Sequence, residues 1–176
     1  MNPEVLILMG SDSDLPVMEE SAAVLKEFGI GFEMHISSAH RSPRRTAELA
    51  AEAAARGIKV VIAGAGMAAY LAGVVAAETV LPVIAVPLPG GALNGIDALY
   101  AMVQMPGGIP VATMAIGKAG AKNAGLFAVQ ILSTAAPELV EKLCQYRIRM
   151  ADDVSRKDAE LQERLGAQGS GLGARG

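Results

Sequence analysis

Short apolar runs alternate with segments of helical periodicity along most of the chain. The runs at residues 5–9 and 60–63 are uninterrupted (VLILM and VVIA), a pattern typical of strands covered on both faces in a parallel sheet. We predict strands at residues 5–9, 31–36, 60–63, 83–86 and 110–114, and helices at about 15–28, 43–56, 68–78, 94–103 and 121–133. Strands that alternate with helices at this short spacing predict an α/β fold, with a parallel sheet covered by helices on both faces.

Three polar or glycine-rich segments each follow one of the first three predicted strands. They are Gly10–Asp14, Ser37–Pro43 and Gly64–Tyr70. In open parallel sheets, ligands bind outside the carboxyl ends of the strands, near the point where the strand order reverses. Because all three segments leave that end of the sheet, we expect them to meet at one edge and to form a site there.

The second segment, SSAHRSP, carries the strongest chemical signal. Histidine is the side chain that most readily gives and takes protons near neutral pH, and this segment contains His40. Arg41 beside it offers a planar, permanently charged fork that suits phosphate or carboxylate. Ser42-Pro43 is typical of an N-cap followed by a proline at the first helical position, and such a helix start favours anions. We therefore predict a functional site here, the alternative being a surface loop with an exposed histidine.

The first segment, GSDSD, allows two interpretations. The hydroxyls of Ser11 and Ser13, together with helix N–H groups, could hold a phosphate while a carboxylate accepts hydrogen bonds from ribose hydroxyls. Serine and aspartate are also common as ordinary helix caps, whatever the ligand. The segment by itself does not separate these two interpretations.

The third segment, GAGMAAY, matches a dinucleotide-binding glycine pattern only superficially. The third glycine is missing, and no acidic residue sits at the expected place after the next strand. The small residues either let backbone N–H groups approach a ligand or allow a helix to pack closely. Both interpretations remain open.

The other chemistry-bearing residues give weaker signals. His35 lies inside the second predicted strand, so we expect a structural histidine. Two histidines and the single cysteine, Cys144, have no metal-ligand spacing, and we expect no metal site. The lysines at positions 118 and 122 are expected to be solvated.

Charge and composition narrow the class of protein. The 176 residues carry a net charge of −3 with both signs interspersed, which gives no reason to expect nucleic acid or an anionic membrane as a partner. One cysteine excludes a disulfide within the chain and fits a reducing cytoplasm. Although 52% of the residues are hydrophobic, the uncharged stretch 60–77 is interrupted by glycines, so we expect no membrane span. The start of the chain lacks the basic segment of a signal peptide.

Two helical segments lack an obvious packing partner. Residues 68–77 have no polar face, and a helix that is apolar all round is normally buried all round, which predicts a subunit interface. After Pro137 a long helix carries an apolar stripe that needs a docking surface on its own sheet layer or on a neighbouring subunit. We expect one domain over residues 1–165, with this helix at about 137–165, and a disordered glycine-rich tail over residues 166–176.

Six segments, taken in order, resemble the class I N5-carboxyaminoimidazole ribonucleotide mutases of purine biosynthesis: GSDSD, SSAHRSP, AGAGMAAYLAG, LPVIAVPL, NGIDALYAMVQMPGGIPVAT and AIGKAGAKNAGLFAVQIL. The resemblance covers residues 5–133. It implies a flavodoxin-like three-layer αβα sandwich with a doubly wound parallel sheet, assembled as a cytoplasmic homo-octamer with active sites at subunit junctions. It also implies that a carboxylate moves from the exocyclic nitrogen of the nucleotide to ring carbon C4, through release and recapture of CO2, without a metal or an organic cofactor.

The same resemblance assigns roles to residues of this chain. It implies that His40 is the general acid and base of the reaction. The residues implied to bind the substrate are Ser11, Ser13, Asp14, Ser38, Ala39, Arg41, Gly66, Ala69, Tyr70 and Leu71.

One segment departs from the family pattern. Where the family usually has GGAAHLPG, this chain reads GMAAYLAG at residues 66–73, so that Tyr70 replaces a second histidine and Met67 replaces a glycine. A tyrosine hydroxyl can form a hydrogen bond but cannot hold a positive charge. A direct carboxylase that fixes CO2 onto aminoimidazole ribonucleotide, as the class II relatives do, is therefore an alternative, although the Arg-Ser-Asn run of class II is missing. A non-catalytic nucleotide-binding paralogue is a second alternative, and His40 argues against it.

Overall fold

The computed structural model describes residues 2–170, and the part of the chain up to Ala135 forms a unit built on a five-stranded sheet. Its strands are β1 (Val5–Met9), β2 (Phe32–Ile36), β3 (Val60–Gly66), β4 (Val83–Leu88) and β5 (Ala112–Thr113). Neighbouring strands are parallel, and their order across the sheet is β2-β1-β3-β4-β5. This is the strand order of flavodoxin-like, doubly wound sheets, and it confirms the predicted fold class.

Helices cover both faces of the sheet. They are α1 (Leu15–Phe28), α2 (Pro43–Ala51), α3 (Leu71–Glu78), α4 (Ile96–Val103) and α5 (Lys118–Ser133). On one face, α1 and α5 pack against each other. On the other, α2, α3 and α4 share a hydrophobic core with side chains of β1 such as Leu6 and Leu8. The layers are therefore helix, sheet and helix, as the sequence predicted.

The contact between α1 and α5 depends on small residues. The hydroxyl of Ser21 donates a buried hydrogen bond of 2.6 Å to the carbonyl of Ala121. A Cβ atom placed on Gly125 would lie 2.9 Å from the Ser21 carbonyl oxygen and 2.9 Å from Cβ of Val24. The two helices thus approach each other closely because glycine has no side chain at this point.

β3 is longer than the sequence pattern indicated. The turn predicted at Gly64 is absent because residues 64–66 continue the strand and pair in register with residues 86–88 of β4. The chain leaves the sheet only at Met67, and α3 begins at Leu71 rather than near Ala68. As a result, the third polar segment reaches further beyond the edge of the sheet than predicted.

α2 is shorter than predicted. It ends at Ala51, and a 3-10 turn at Ala54–Arg56 follows before the chain reverses at Gly57, which has φ of 93°. The Arg56 side chain donates to Glu33 Oε1 at 2.7 Å and to the carbonyl of Leu49 at 3.1 Å. The predicted end of this helical segment at about residue 56 is thereby confirmed, although its last turns are not α-helical.

α3 is only partly buried within one chain. Leu71, Ala72 and Val75 are buried, whereas Ala77 is exposed and Val80, just beyond the helix, is fully exposed. The predicted burial on all sides is therefore not reached by this chain taken singly. None of the helices within residues 2–170 combines the length and apolarity needed to cross a membrane.

A second unit begins at Ala136 and contains the long helix α6 (Pro137–Ser170). A long C-terminal helix after Pro137 was predicted, and its presence is confirmed; it continues five residues beyond the predicted boundary at 165. Its exposed apolar side chains are Val140, Ile148, Met150, Val154, Leu161 and Leu165. Residues 171–176 of the predicted tail lie outside the described residues.

Candidate active site

The loops that follow β1, β2 and β3 meet at one edge of the sheet, as predicted, and enclose a cleft of about 540 Å³. Every site residue singled out from the sequence lines this cleft: Ser11, Ser13, Asp14, Ser38, Ala39, His40, Arg41, Gly66, Ala69, Tyr70 and Leu71. The cleft lies beside the point where the strand order reverses between β1 and β3. This is where a doubly wound sheet binds its ligand.

The loop after β1 is both a cap and a wall of the cleft. The backbone N–H of Ser11 donates to Asp14 Oδ2 at 2.9 Å, and the Ser11 hydroxyl accepts from the N–H of Ser13 at 3.4 Å. These two bonds form a capping box around a short 3-10 turn at Asp12–Asp14. The two interpretations of this segment are therefore compatible, since the cap fixes hydroxyl groups that also face the cleft.

The pKa values of two carboxyl groups in this turn, those of Asp12 and Asp14, are shifted in opposite directions. Burial raises the pKa of Asp14 above its ordinary value of 3.8, although hydrogen bonds from the N–H groups of Ser11 and Gly10 oppose the shift. The hydrogen bond from the Ser11 hydroxyl to Asp12 Oδ1, 2.9 Å long, lowers the pKa of the exposed Asp12. The turn thus holds one partly desolvated carboxylate at the cleft and one well-solvated carboxylate outside it.

The loop after β2 is held in shape by serine and threonine hydroxyls. Ser37 and Thr46 share a buried hydrogen bond of 2.8 Å between their hydroxyls. Ser42 stands at the N-cap position of α2, but its side chain does not cap the helix. Instead its hydroxyl donates to the carbonyl of Ser38 at 3.0 Å, and this bond closes the turn that presents His40. The predicted N-cap position of Ser42 and the proline at the start of the helix are confirmed, whereas the side-chain hydrogen bond of a cap is absent.

Arg41 joins the first two loops. Its Nη2 donates to the carbonyl of Gly10 at 3.3 Å, and its Nε donates to the hydroxyl of Ser38 at 3.3 Å. Both bonds lie at the exposed mouth of the cleft, and a guanidinium has five N–H groups to distribute. Arg41 can therefore hold the loops together and still offer N–H groups to an anion.

His40 is exposed in the cleft, and its ring faces the ring of Tyr70 from the loop after β3. The two ring centroids lie 5.2 Å apart, and the ring planes differ by 18°, a stacked arrangement. Tyr70 is 54% exposed. The sequence predicted both residues for the site but gave no indication that they touch.

Both roles that the sequence left open for the small residues of the third segment, close helix packing and access of the backbone to a ligand, are found at different glycines. A Cβ atom on Gly64 would collide with the sulfur of Met18, so this glycine allows α1 to pack closely on the sheet. Gly66 instead lines the cleft, and its carbonyl accepts from the N–H of Ala69 at 3.1 Å. Met67, the residue after Gly66, has φ of 56°, an uncommon conformation for a residue with a side chain.

The remaining candidates lie outside this cleft. His35 is partly exposed on β2, with its Nε2 3.9 Å from Glu33 Oε2. Lys118 is exposed and lies 3.5 Å from a carboxylate oxygen of Glu20. Across residues 2–170, no group of three or more histidine, cysteine or acidic side chains is arranged to hold a metal ion.

Pro89 and Gly90, which also line the cleft, were not singled out from the sequence. They follow the carboxyl end of β4, so the rule that grouped the first three loops could have found them.

The fold and the cleft define a class of protein: flavodoxin-like sandwiches that bind a small ligand at the carboxyl edge of the sheet. Within that class, the chain belongs to the AIR carboxylase family, whose model matches residues 4–153. It is 57% identical over 165 residues to the N5-carboxyaminoimidazole ribonucleotide mutase of Synechocystis sp., which covers 94% of this chain and 92% of that relative. The enzyme of the same name from Thermotoga maritima is 53% identical over 161 residues, 92% of this chain and 93% of that relative.

A solved structure agrees with these sequence relationships. The crystal structure of Treponema denticola PurE has a TM-score of 0.81 and 33% sequence identity to this chain, and the match covers 90% of this chain and 98% of that one. The family resemblance predicted from the sequence segments is thereby confirmed.

Proposed function

We propose that this chain is an N5-carboxyaminoimidazole ribonucleotide mutase of purine biosynthesis, an isomerase that gives 4-carboxy-5-aminoimidazole ribonucleotide. The observation that carries the proposal is identity of 53% and 57% to enzymes of that name, over 92% and 94% of the chain. The cleft supplies groups that suit this chemistry: a histidine in contact with solvent, an arginine, and several hydroxyls at the carboxyl edge of the sheet.

In the proposed reaction His40 moves one proton. The protonated imidazole donates to the exocyclic nitrogen while the bond from this nitrogen to the carboxylate carbon breaks, which releases CO2 and the free amine. Ring carbon C4 then attacks the retained CO2, and the now neutral imidazole removes the proton from C4 so that the ring regains its aromaticity. The overall change is an exchange of carboxylate and proton between nitrogen and carbon. A histidine suits both steps because it can act as acid and as base near neutral pH.

The other cleft residues would bind and enclose the nucleotide. Phosphate and ribose are proposed to contact the polar residues Ser11, Ser13, Asp14, Ser38 and Arg41, with Ala39 beside them. The base and the trapped CO2 are proposed to lie under the loop that contains Gly66, Ala69, Tyr70 and Leu71. The support for this division is that the charged and hydroxyl-bearing side chains belong to the loops after β1 and β2, whereas the loop after β3 is apolar except for its backbone and Tyr70.

Turnover by the purified chain tests the proposal. N5-carboxyaminoimidazole ribonucleotide at low bicarbonate is compared with aminoimidazole ribonucleotide plus bicarbonate, and the formation of 4-carboxy-5-aminoimidazole ribonucleotide is measured in both. The mutase predicts rapid conversion of the first substrate with no dependence on added bicarbonate. No conversion of the first substrate would overturn it.

The presence of Tyr70 supports a second candidate function for this chain, that of a direct aminoimidazole ribonucleotide carboxylase. A tyrosine at this position cannot be positively charged and gives a carboxylate a weaker hold than a charged side chain would. If this chain is a carboxylase, product forms only from aminoimidazole ribonucleotide and its rate rises with dissolved CO2. Binding of the nucleotide without turnover of either substrate would instead identify a non-catalytic paralogue.

We further propose that the chain works as a cytoplasmic homo-octamer. Incomplete burial of α3, the fully exposed Val80 and the exposed Leu93 and Ile96 leave an apolar surface that another copy of the chain could cover. Light scattering coupled to size-exclusion chromatography would measure the mass of the assembly, and a monomer at micromolar concentration would contradict the proposal.

A further inference from the structure

The imidazole of His40 is held by a ring contact rather than by hydrogen bonds. Across residues 2–170, neither of its ring nitrogens takes part in a hydrogen bond or an ion pair, whereas the centroid of the stacked Tyr70 ring lies 5.2 Å from that of His40. Torsion of a histidine ring about its last bond is broad and roughly two-fold unless a neighbour restricts it. The planes of the two rings differ by only 18°, so the stack is a contact through which Tyr70 can restrict this torsion.

The orientation of this ring matters for the proposed proton transfers. A general acid must come within hydrogen-bond reach of the atom it protonates, and productive geometry is confined to about 10–20°. The same imidazole must reach the exocyclic nitrogen first and C4 later. A ring that turned freely would spend most of its time in unproductive orientations.

The backbone around Tyr70 is fixed independently of its side chain. The N–H of Ala69 bonds the carbonyl of Gly66 at 3.1 Å, and the carbonyl of Tyr70 accepts from the N–H of Val74 at 3.2 Å in the first turn of α3. These bonds involve no atom of the Tyr70 ring. The ring can therefore be removed by mutation while the loop and the helix start keep their backbone hydrogen bonds.

We infer that Tyr70 is a positioning residue whose ring, and not its hydroxyl, orients the imidazole of His40 for proton transfer. This inference rests on the proposed function, because it concerns the same cleft and the same proton. It gives Tyr70 a role beyond the enclosure of the base that is proposed for its loop. The ring should affect the rate of the chemical step and leave substrate affinity nearly unchanged.

Three variants separate the ring from the hydroxyl. Stacked aromatic pairs are worth about 0.5–1.5 kcal/mol, so removal of the ring in Tyr70→Ala should lower kcat by about twofold to thirteenfold, with KM within about twofold of wild type. Tyr70→Phe keeps the ring and should recover most of the lost kcat. Tyr100→Ala is the matched control, since Tyr100 is an exposed tyrosine on α4 that does not line the cleft, and its kcat should equal that of wild type.

The stack itself can be observed without any substrate. Protons of an imidazole stacked on an aromatic ring are shifted upfield by the ring current, and with two histidines in the chain the signals can be assigned by comparison with His35. We expect the upfield shift of His40 to disappear in Tyr70→Ala and to persist in Tyr70→Phe. An unshifted His40 in the wild-type protein would overturn the inference, whether or not the protein turns over substrate.

The kinetic outcomes also distinguish the two proposals. If wild type converts neither substrate, the proposed function fails, and the ring-current shift still decides whether Tyr70 orients His40. If wild type is active but Tyr70→Phe is as slow as Tyr70→Ala, the hydroxyl is the important group and the inference is wrong. A loss that appears in KM alone would also contradict it, because the orientation of His40 should act on the chemical step.

Discussion

Nη2 of Arg41 donates a hydrogen bond of 3.3 Å to the carbonyl oxygen of Gly10, which ties the loop after β2 to the loop after β1. The two residues are 31 positions apart in the sequence and meet because β1 and β2 are neighbouring parallel strands. The same side chain carries the permanent positive charge that is proposed to bind the phosphate of the substrate. Loop geometry and anion binding are therefore coupled in one residue.

This coupling makes lysine a poor substitute for Arg41. We expect Arg41→Lys to raise KM about tenfold or more, because a lysine cannot bond Gly10 and Ser38 and also face an anion with a planar fork, and a hydrogen bond to a charged group is worth about 1.5–3 kcal/mol. Steady-state kinetics measure the effect. Arg44→Ala, at an exposed arginine outside the cleft, is the control and should leave KM unchanged. Equal KM values for Arg41→Lys and wild type would show that only the charge matters.

Loss of the proposed proton carrier should separate binding from chemistry. His40→Asn keeps a polar side chain of similar size but cannot shuttle a proton, so we expect kcat to fall by about 10²–10⁴ while the substrate still binds. Binding is measured by calorimetry at a temperature where the variant does not turn over. The corresponding change at the other histidine, His35→Asn, should retain kcat. Turnover by His40→Asn near the wild-type rate would refute the mechanism.

Asp14 and Asp12 should give opposite dependences of stability on pH. The folded state raises the pKa of Asp14, so the stability contributed by its protonated form is present below 3.8 and is lost as pH rises through the folded pKa. Asp14→Asn removes this titration, and its free energy of unfolding relative to wild type should therefore increase as pH rises above about 3.8. The folded state lowers the pKa of Asp12, so Asp12→Asn should lose stability relative to wild type above 3.8 and recover as pH falls through the folded pKa.

Urea unfolding would measure these differences in both variants and in wild type. The measurements should run from about pH 3 to about pH 7, since the ordinary carboxyl pKa lies in this range. The two aspartates lie two positions apart in the same turn, so each variant serves as the matched control for the other. Parallel curves for the two variants would contradict the assignment of opposite pKa shifts. Asp14→Asn should in addition raise KM, since the carboxylate is proposed to accept from ribose hydroxyls.

The close contact between α1 and α5 predicts a stability effect at Gly125. A methyl group at this position would lie 2.9 Å from atoms of Ser21 and Val24, so Gly125→Ala should lower the free energy of unfolding by about 1–3 kcal/mol, the usual range for overpacking. Gly107→Ala is the control, because an added Cβ there meets no atom within 4 Å. A Gly125→Ala protein as stable as the control would mean that the helices can separate without cost.

The positive φ of Met67 predicts that a substitution at this position can stabilise the protein. A residue with a side chain in this region costs about 1–3 kcal/mol, and glycine removes that cost while it adds about 0.5–1 kcal/mol of backbone entropy to the unfolded state. We therefore expect Met67→Gly to raise the free energy of unfolding by about 1 kcal/mol. Ala68→Gly, at the next position and without a positive φ, should lower it. If both changes are equally destabilising, the Met67 backbone is not strained.

Local pattern was sufficient for the order of the elements and for the loops that form the cleft, whereas the individual site residues were assigned from the family resemblance and stay a prediction. A run such as VLILM at residues 5–9 is typical of a strand covered on both sides, and its alternation with helical segments favours a parallel sheet. Parallel strands carry their following loops to one edge, so the meeting of SSAHRSP with GSDSD and the loop after β3 could be expected before any contact was known. The predicted ends of the first two helices, near residues 28 and 56, are each followed by a glycine, and both glycines adopt a positive φ.

Contacts between distant residues were decided only by the tertiary structure. Gly64 looked like part of a turn, but pairing with β4 keeps it in the strand, and the Met18 side chain occupies the space that a Cβ atom on Gly64 would take. Ser42 stands at the N-cap position, but its hydroxyl donates a hydrogen bond to the carbonyl of Ser38 within the loop and does not bond the helix N–H groups. The stack of His40 on Tyr70 depends on the relative height of two loops above the sheet. Sequence determines which side chains reach the edge of the sheet because strand direction is a local property, whereas their distances and ring orientations depend on strand pairing and helix packing, which join residues far apart in the chain.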